Sequence, residues 1–222
     1  MSLNVTLSSL RAQVRDRADM KHTTFCTDSE INGYINSAYA ELYDLLVDAT
    51  EDYYVKSGTI SCDGINDSFS LPSDFYKLNG VDYRLGGAAQ PMEKFVFEDR
   101  NKYINNGTII RYRIVGSKIF FKPLPSAQTI TLWYTPAITL LSADGHTVDG
   151  VNGWEDYIVC DAAMKCLIKE ESDVMAFIAE KKDLEKRIEA MSRNRDQGRP
   201  DRVTDVTGSK IPYYYLGDDA WL

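Results

Sequence analysis

The residues best suited to chemistry are few and scattered. His22 and His146 are the only histidines, and neither belongs to a motif that would give it a proton-relay partner. Both read as surface residues. Cys26, Cys62, Cys160 and Cys166 show no CxxC spacing. Neither a disulfide framework nor a thiolate zinc site is expected of them, and buried free thiols are the better reading. Cys160 and Cys166 lie six positions apart, on opposite flanks of a helix. The run Asp144-Gly145-His146-Thr147-Val148-Asp149-Gly150 hints at a cation loop. Its acid spacing departs from the EF-hand pattern, and the bidentate Glu is out of register, so a turn-rich connection is expected. Asp144 and Asp149 would be the carboxylate pair of a hydrolase, if the chain were one. Glu155, Asp156 and Asp161 fall on a predicted helix, where solvated carboxylates are common. There is no glycine-rich phosphate loop, no GxSxG and no HExxH. No catalytic residue, cofactor or metal ligand is assigned, and an enzyme is not expected.

Composition bounds the rest. The chain has 222 residues, 44% hydrophobic and 26% charged, which suits a globular protein rather than a disordered one. No window approaches a membrane span, and the first residues lack the basic and apolar regions of a signal peptide. The expectation is a chain without membrane contact that stays in the cytosol of whatever cell makes it. Net charge is −8, unlike a protein that grips DNA phosphates with a basic face. The acid is concentrated: residues 28–55 hold seven carboxylates and no Lys, Arg or His, whereas residues 181–202 hold eight cations against five carboxylates. These read as two solvated faces of opposite sign, or as surfaces that pair subunits in an oligomer. Aromatic residues, 11% of the chain with 14 Tyr, suit cross-strand packing, since no basic groove accompanies them.

The elements that must position these residues are legible by period. Leu7, Leu10, Val14 and Ala18 place a helix over about 7–18. Thr27 and Glu30 form a capping box, with Cys26 and Ile31 as a hydrophobic staple, ahead of the stripe Ile31, Tyr34, Ile35, Ala38, Leu42, Leu45, Leu46 and Ala49. Seven β-rich segments follow: 54–61, 68–71, 77–84, 93–97, 109–115, 118–122 and 129–134. Gly116-Ser117 reads as a two-residue hairpin turn. Pro72, Pro91, Pro123, Pro125 and Pro136 sit at segment ends, where a missing amide donor is tolerated. Helix returns after the loop 142–153, with Asn152 and Glu155 as a cap pair and Trp154, Tyr157, Ile158, Ala162 and Ile168 in step. Lys169-Glu170-Glu171-Ser172-Asp173 interrupts it. Val174, Phe177, Ile178, Leu184, Ile188 and Met191 then face inward on a last helix, giving two antiparallel helices or one bent helix. Residues 193–222 lack helical period but carry Tyr213, Tyr214, Tyr215 and Trp221. They read either as a tail folded onto its own domain or as an arm that docks on a partner.

The class is therefore α+β: a helical bundle with an inserted antiparallel β-domain and an extended C-terminal arm. Residues 1–52 and 138–192 supply the bundle, 53–137 the β-domain and 193–222 the arm. Four stretches carry a family likeness. They are the run from Asp28 to Tyr43; Leu71-Pro72-Ser73-Asp74-Phe75-Tyr76-Lys77-Leu78 with Val81-Asp82; Pro123-Leu124-Pro125 with Leu132-Trp133-Tyr134 and Pro136; and Gly153-Trp154-Glu155-Asp156-Tyr157 with Asp161-Ala162-Ala163 and Lys169 to Asp173. In order and spacing the chain resembles the head-to-tail adaptors (connectors) of tailed bacteriophages, short-tailed phages especially, over roughly residues 6–206.

The resemblance implies a virion structural protein of the neck. It implies a ring, typically dodecameric, that sits below the portal protein, extends the channel for passing double-stranded DNA and supports tail or nozzle proteins. It also implies a C-terminal segment that reaches along the portal. Arg193, Arg195, Arg199, Arg202, Val203, Val206, Tyr213, Tyr214, Tyr215 and Trp221 are the candidate portal or subunit contacts. Glu41, Asp44 and Asp48 are candidates for the channel wall. The acidic second helix and the basic last helix are candidate neighbours across the subunit interface. Another virion interaction protein, such as a tail completion or baseplate component, and a virion-associated hydrolase are the alternatives.

Overall fold

The computed structural model describes residues 3–22, 24–50, 52–102, 109–150 and 153–193. Thr6 closes a first strand, β1 (Leu3–Thr6), and caps the first helix, α1 (Leu7–Arg17). Its hydroxyl accepts from the amide of Ser9 at 3.2 Å, satisfying one of the free donors at the helix start. The capping box forms at α2 (Asp28–Ala49): Glu30 N donates to Thr27 Oγ1 at 3.3 Å and Thr27 N to Glu30 Oε2 at 2.9 Å. The helix buries Ile31, Ile35, Ala38, Leu42 and Leu46, but also Tyr43 and Val47, which lie outside the expected stripe. Tyr43 stacks on Tyr54 with ring centroids 4.5 Å apart, and its hydroxyl donates to the carbonyl of Pro136. The buried arc is wide because α2 packs on helices along one side and meets the β-region along another.

Eight strands follow: β2 (Lys56–Cys62), β3 (Ser68–Ser70), β4 (Phe75–Leu85), β5 (Ala88–Pro91), β6 (Glu93–Lys94), β7 (Arg111–Val115), β8 (Lys118–Lys122) and β9 (Gln128–Pro136). They form two four-stranded sheets, ordered β2-β9-β4-β5 and β3-β8-β7-β6. Ile60, Val81, Ile130 and Leu132 from the first sheet meet Ile119 and Phe121 from the second in one core. Alternation along β9 shows the pleat: Ile130, Leu132 and Tyr134 point inward, and Trp133 points out, its indole N–H donating to Asp82 at 2.7 Å. Gly116-Ser117 turns β7 into β8, with Gly116 at φ +59°. Two details depart from the sequence reading. β5 was not expected, since Ala88-Ala89-Gln90-Pro91 is an exposed edge without an apolar pattern. And β6 pairs with β7 in parallel, which two strands joined by more than a hairpin turn can do.

The expected loop 142–153 contains a further strand, β10 (Thr147–Gly150), which pairs antiparallel with β1. Two helices complete the chain, α3 (Glu155–Lys169) and α4 (Met175–Arg193). The cap pair expected of Asn152 and Glu155 gives way to Trp154 at the N-cap, with no side-chain cap; Asn152 lies outside the described residues. Between the helices Glu171 adopts φ +64°, and Asp173 accepts from the amide of Met175 at 3.0 Å. Cys160 meets Phe177 near the turn, and farther from it Tyr157 meets Glu185. Numbers that fall on one helix as they rise on the other mean an antiparallel hairpin, which decides against one bent helix.

Leu10, Val14, Ile31, Ile35, Ile158 and Ile188 share the helical core. Ile168 and Met191, expected inward, are 53% and 51% exposed. Ile168 sits in the last turn of α3, where Cys166 takes the inward position. Ser192 does the same near the end of α4, its carbonyl accepting from the hydroxyl of Thr50 at 2.8 Å. Among the described residues no helix is long and apolar enough to cross a membrane.

Candidate functional site

The densest polar cluster lies among α2, α3 and α4. Asp161, 1% exposed, places its two oxygens 2.6 Å from Lys165 Nζ and 2.7 Å from Lys181 Nζ. Lys181 also lies 2.7 Å from Glu41, and Lys165 lies 3.3 Å from Glu41 and donates to Ser37 Oγ at 2.9 Å. The hydroxyl of Tyr157 reaches Glu41 and Glu185, each at 3.4 Å. Two ammoniums thus alternate with two carboxylates, so each desolvated charge has an opposite partner. Burial pulls the pKa of Lys181 down, but hydrogen bonds to Asp161 and Glu41 outweigh it and raise the value. Burial pushes Tyr157 up to about 12. Near neutral pH the ammonium and the phenol therefore both keep their protons. The cluster acts as a fixed clamp across three helices, not as a proton relay.

Two of the surface hollows among the described residues have the character of contact surfaces. One, of about 440 Å³, runs between α2 and β4 and is lined by Asp44, Val47, Asp48, Tyr76 and Lys77, with Tyr76 donating to Asp44 at 2.9 Å. The other, of about 230 Å³, opens on the β-sandwich and is lined by Phe95, Phe97, Val115 and Phe120 together with Asp67 and Lys122. Phe97, 45% exposed, has the guanidinium of Arg100 4.6 Å and that of Arg113 5.5 Å from its ring centre. Hollows lined by aromatic and charged side chains together suit protein contact surfaces.

The residues singled out in the sequence fall as follows. Glu41, Asp44 and Asp48 are all exposed, and Glu41 is also engaged by the clamp. Arg193 is the exposed last residue of α4; Arg195, Arg199, Arg202, Val203, Val206, Tyr213, Tyr214, Tyr215 and Trp221 lie outside the described residues. The acidic and basic helices meet inside one chain, through Lys181 with Glu41 and Thr50 with Ser192. His22 and His146 are exposed, and His146 Nδ1 accepts from the amide of Ser142 at 3.2 Å. Asp144 pairs with Arg11 at 2.7 Å, and Asp149 stands opposite Asn4 in the β1–β10 ribbon. All four cysteines are buried free thiols. Among the described residues no group of three or more His, Cys, Asp or Glu is arranged to hold a metal ion.

Sequence reasoning missed the clamp. Asp161 and Lys165 stand four apart on one helix, which was a readable pairing signal. Their link to Lys181 and Glu41 exists only once the helices are packed.

The SU10 adaptor protein family model matches residues 5–205, from β1 through α4 and beyond. The chain belongs to the SU10 adaptor protein family. No curated protein matches it. The adaptor is a structural protein of the phage virion, a head-to-tail component of the neck, and its family is one of structural adaptors and not of enzymes. The likeness read from its helix and proline motifs named the same kind of protein.

Proposed function

We propose that the adaptor closes into a ring, dodecameric as the resemblance implies, between the portal protein and the tail or nozzle proteins. The family match over residues 5–205 carries this reading, because it takes in the helical layer and both sheets together. Rings close through heterologous contacts, so each subunit needs two different faces. The hollow beside the exposed Asp44 and Asp48 and the hollow beside Phe97 supply two surfaces of unlike chemistry. DNA passes through the ring without sequence-specific binding, and net charge −8 suits a conduit that does not hold phosphates. The three carboxylates considered for the channel wall, Glu41, Asp44 and Asp48, are all exposed, and Glu41 is the one whose charge is partly compensated by Lys165 and Lys181.

The C-terminal arm, with Arg193, Arg195, Arg199, Arg202, Val203, Val206, Tyr213, Tyr214, Tyr215 and Trp221, docks on the portal or on the next subunit. Tyr, Trp and Arg are the residue types that anchor protein interfaces. Mixing the purified chain with its portal and imaging the product by cryo-microscopy is the direct test. A ring seated on the portal is expected; a chain that stays unbound, or a ring with Asp44 and Asp48 on its outer rim, overturns the corresponding part. Truncation after Val206 is expected to keep the circular dichroism spectrum and abolish portal attachment. Normal attachment by the shortened chain would refute the docking arm.

A further inference from the structure

We propose that Cys26 and Cys166 are a paired oxidation site, closing to an intramolecular disulfide when the chain meets an oxidant of the peroxide class. The two Sγ atoms lie 3.7 Å apart, and both residues are fully buried. Neighbouring polar contacts hold them in register. Arg15 donates to the carbonyl of Cys26 at 3.0 Å, while Lys169, one turn beyond Cys166, donates to the carbonyl of Phe25 at 2.8 Å and pairs with Glu30 at 2.7 Å. Bonding requires the sulfurs to approach by roughly 1.7 Å, to an S–S length of about 2.05 Å. Cys26 can supply that movement, because it lies in the connection between α1 and α2 and not within a helix. The other thiols have different surroundings: Cys160 faces the carbonyl of Phe177 at 3.6 Å, and Cys62 belongs to the core of the β-sandwich.

The chemistry balances with peroxide as the electron acceptor. One cysteine sulfur attacks a peroxide oxygen, the O–O bond breaks, and the released hydroxide takes up the thiol proton as water, leaving a sulfenic acid. The second sulfur attacks the sulfenic sulfur; the S–S bond forms, the S–O bond breaks, and the hydroxide departs as water with the second thiol proton. Two thiols are oxidised by two electrons, and one peroxide is reduced to two waters. A reducing cytosol keeps the pair open during assembly, and an oxidising medium closes it in the released particle. That timing rests on the virion role; the bond itself does not. Burial pushes the Cys166 thiol up to about 12, so thiolate is scarce and closure is slow.

The test uses the reduced full-length chain, exposed overnight to hydrogen peroxide, then unfolded in an alkylating reagent and mapped as peptides without reduction. The expected result is a Cys26–Cys166 linked peptide, with Cys62 and Cys160 still alkylated. Two of the four thiols are lost to alkylation and return on adding reductant. Thermal unfolding of the oxidised chain should shift upward, because the link closes a long loop. Cys26→Ser and Cys166→Ser, each folded by circular dichroism, should show no link and no shift. Four alkylatable thiols after peroxide, a link through Cys62 or Cys160, or sulfinic acid without a link would each overturn the proposal, whether or not a ring forms on the portal.

Discussion

Asp161 is the residue on which the helical layer most depends electrostatically. Its two oxygens face two ammoniums at 2.6 and 2.7 Å with almost no access to water. Removing one member of such a group leaves the others charged and poorly solvated. Asp161→Ala is therefore expected to cost about 3–5 kcal/mol, read as a lower urea midpoint. A neutral Lys181→Met, Asp161→Leu double variant should recover part of the loss, because it removes charge from both sides. Glu30 gives a pH-dependent counterpart. The Lys169 ammonium, followed by the amide and hydroxyl of Thr27, holds its carboxyl down to about 2 from an ordinary 4.5. A depressed carboxyl stabilises the fold above the unfolded value and loses that contribution as pH falls through the folded value. The relevant window runs from about 4.5 down to about 2. Urea midpoints measured across it should fall less steeply for Glu30→Gln than for the parent chain.

Elements show how far local chemistry reaches. The β7–β8 hairpin depends on Gly116, whose φ of +59° suits a residue without Cβ and whose missing side chain would meet nothing within 4 Å. The penalty of a substitution there is purely conformational. Gly116→Val is expected to lose roughly 1–2 kcal/mol in chemical denaturation. That turn was legible because Gly116-Ser117 lies between two β-rich runs, and the capping box of α2 was legible because Thr27 and Glu30 sit three apart. Both are set by neighbours in sequence. The β1–β10 ribbon was not legible: its strands are four residues each and meet across more than a hundred positions. The same limit hid the clamp, since Glu41, Asp161 and Lys181 lie on three helices. Tyr43 and Val47 show a subtler limit. A single apolar stripe describes a helix with one neighbour, and α2 has neighbours on more than one side.

At the scale of the molecule the described residues form two apolar cores, one among the helices and one between the sheets. Tyr43 with Tyr54, Tyr43 with Pro136 and Tyr76 with Asp44 join the two regions. The sheet core draws on Ile60, Val81, Ile119, Phe121, Ile130 and Leu132, all between 53 and 137. A fragment of residues 53–137 is accordingly expected to give a β-type circular dichroism spectrum and a cooperative melt; a spectrum of random coil would show that the helices are required. The pairing of the first strand with the tenth bears on how the chain is made. Synthesis runs through Leu10, Val14, Ile31 and Ile35 early, yet their cover from α3 emerges only after the complete β-sandwich. On the ribosome the helical half therefore waits, with its apolar faces open, while the middle of the protein is finished. A stall in translation anywhere between the second and third helices would leave those faces uncovered, a nascent chain prone to stick to its neighbours.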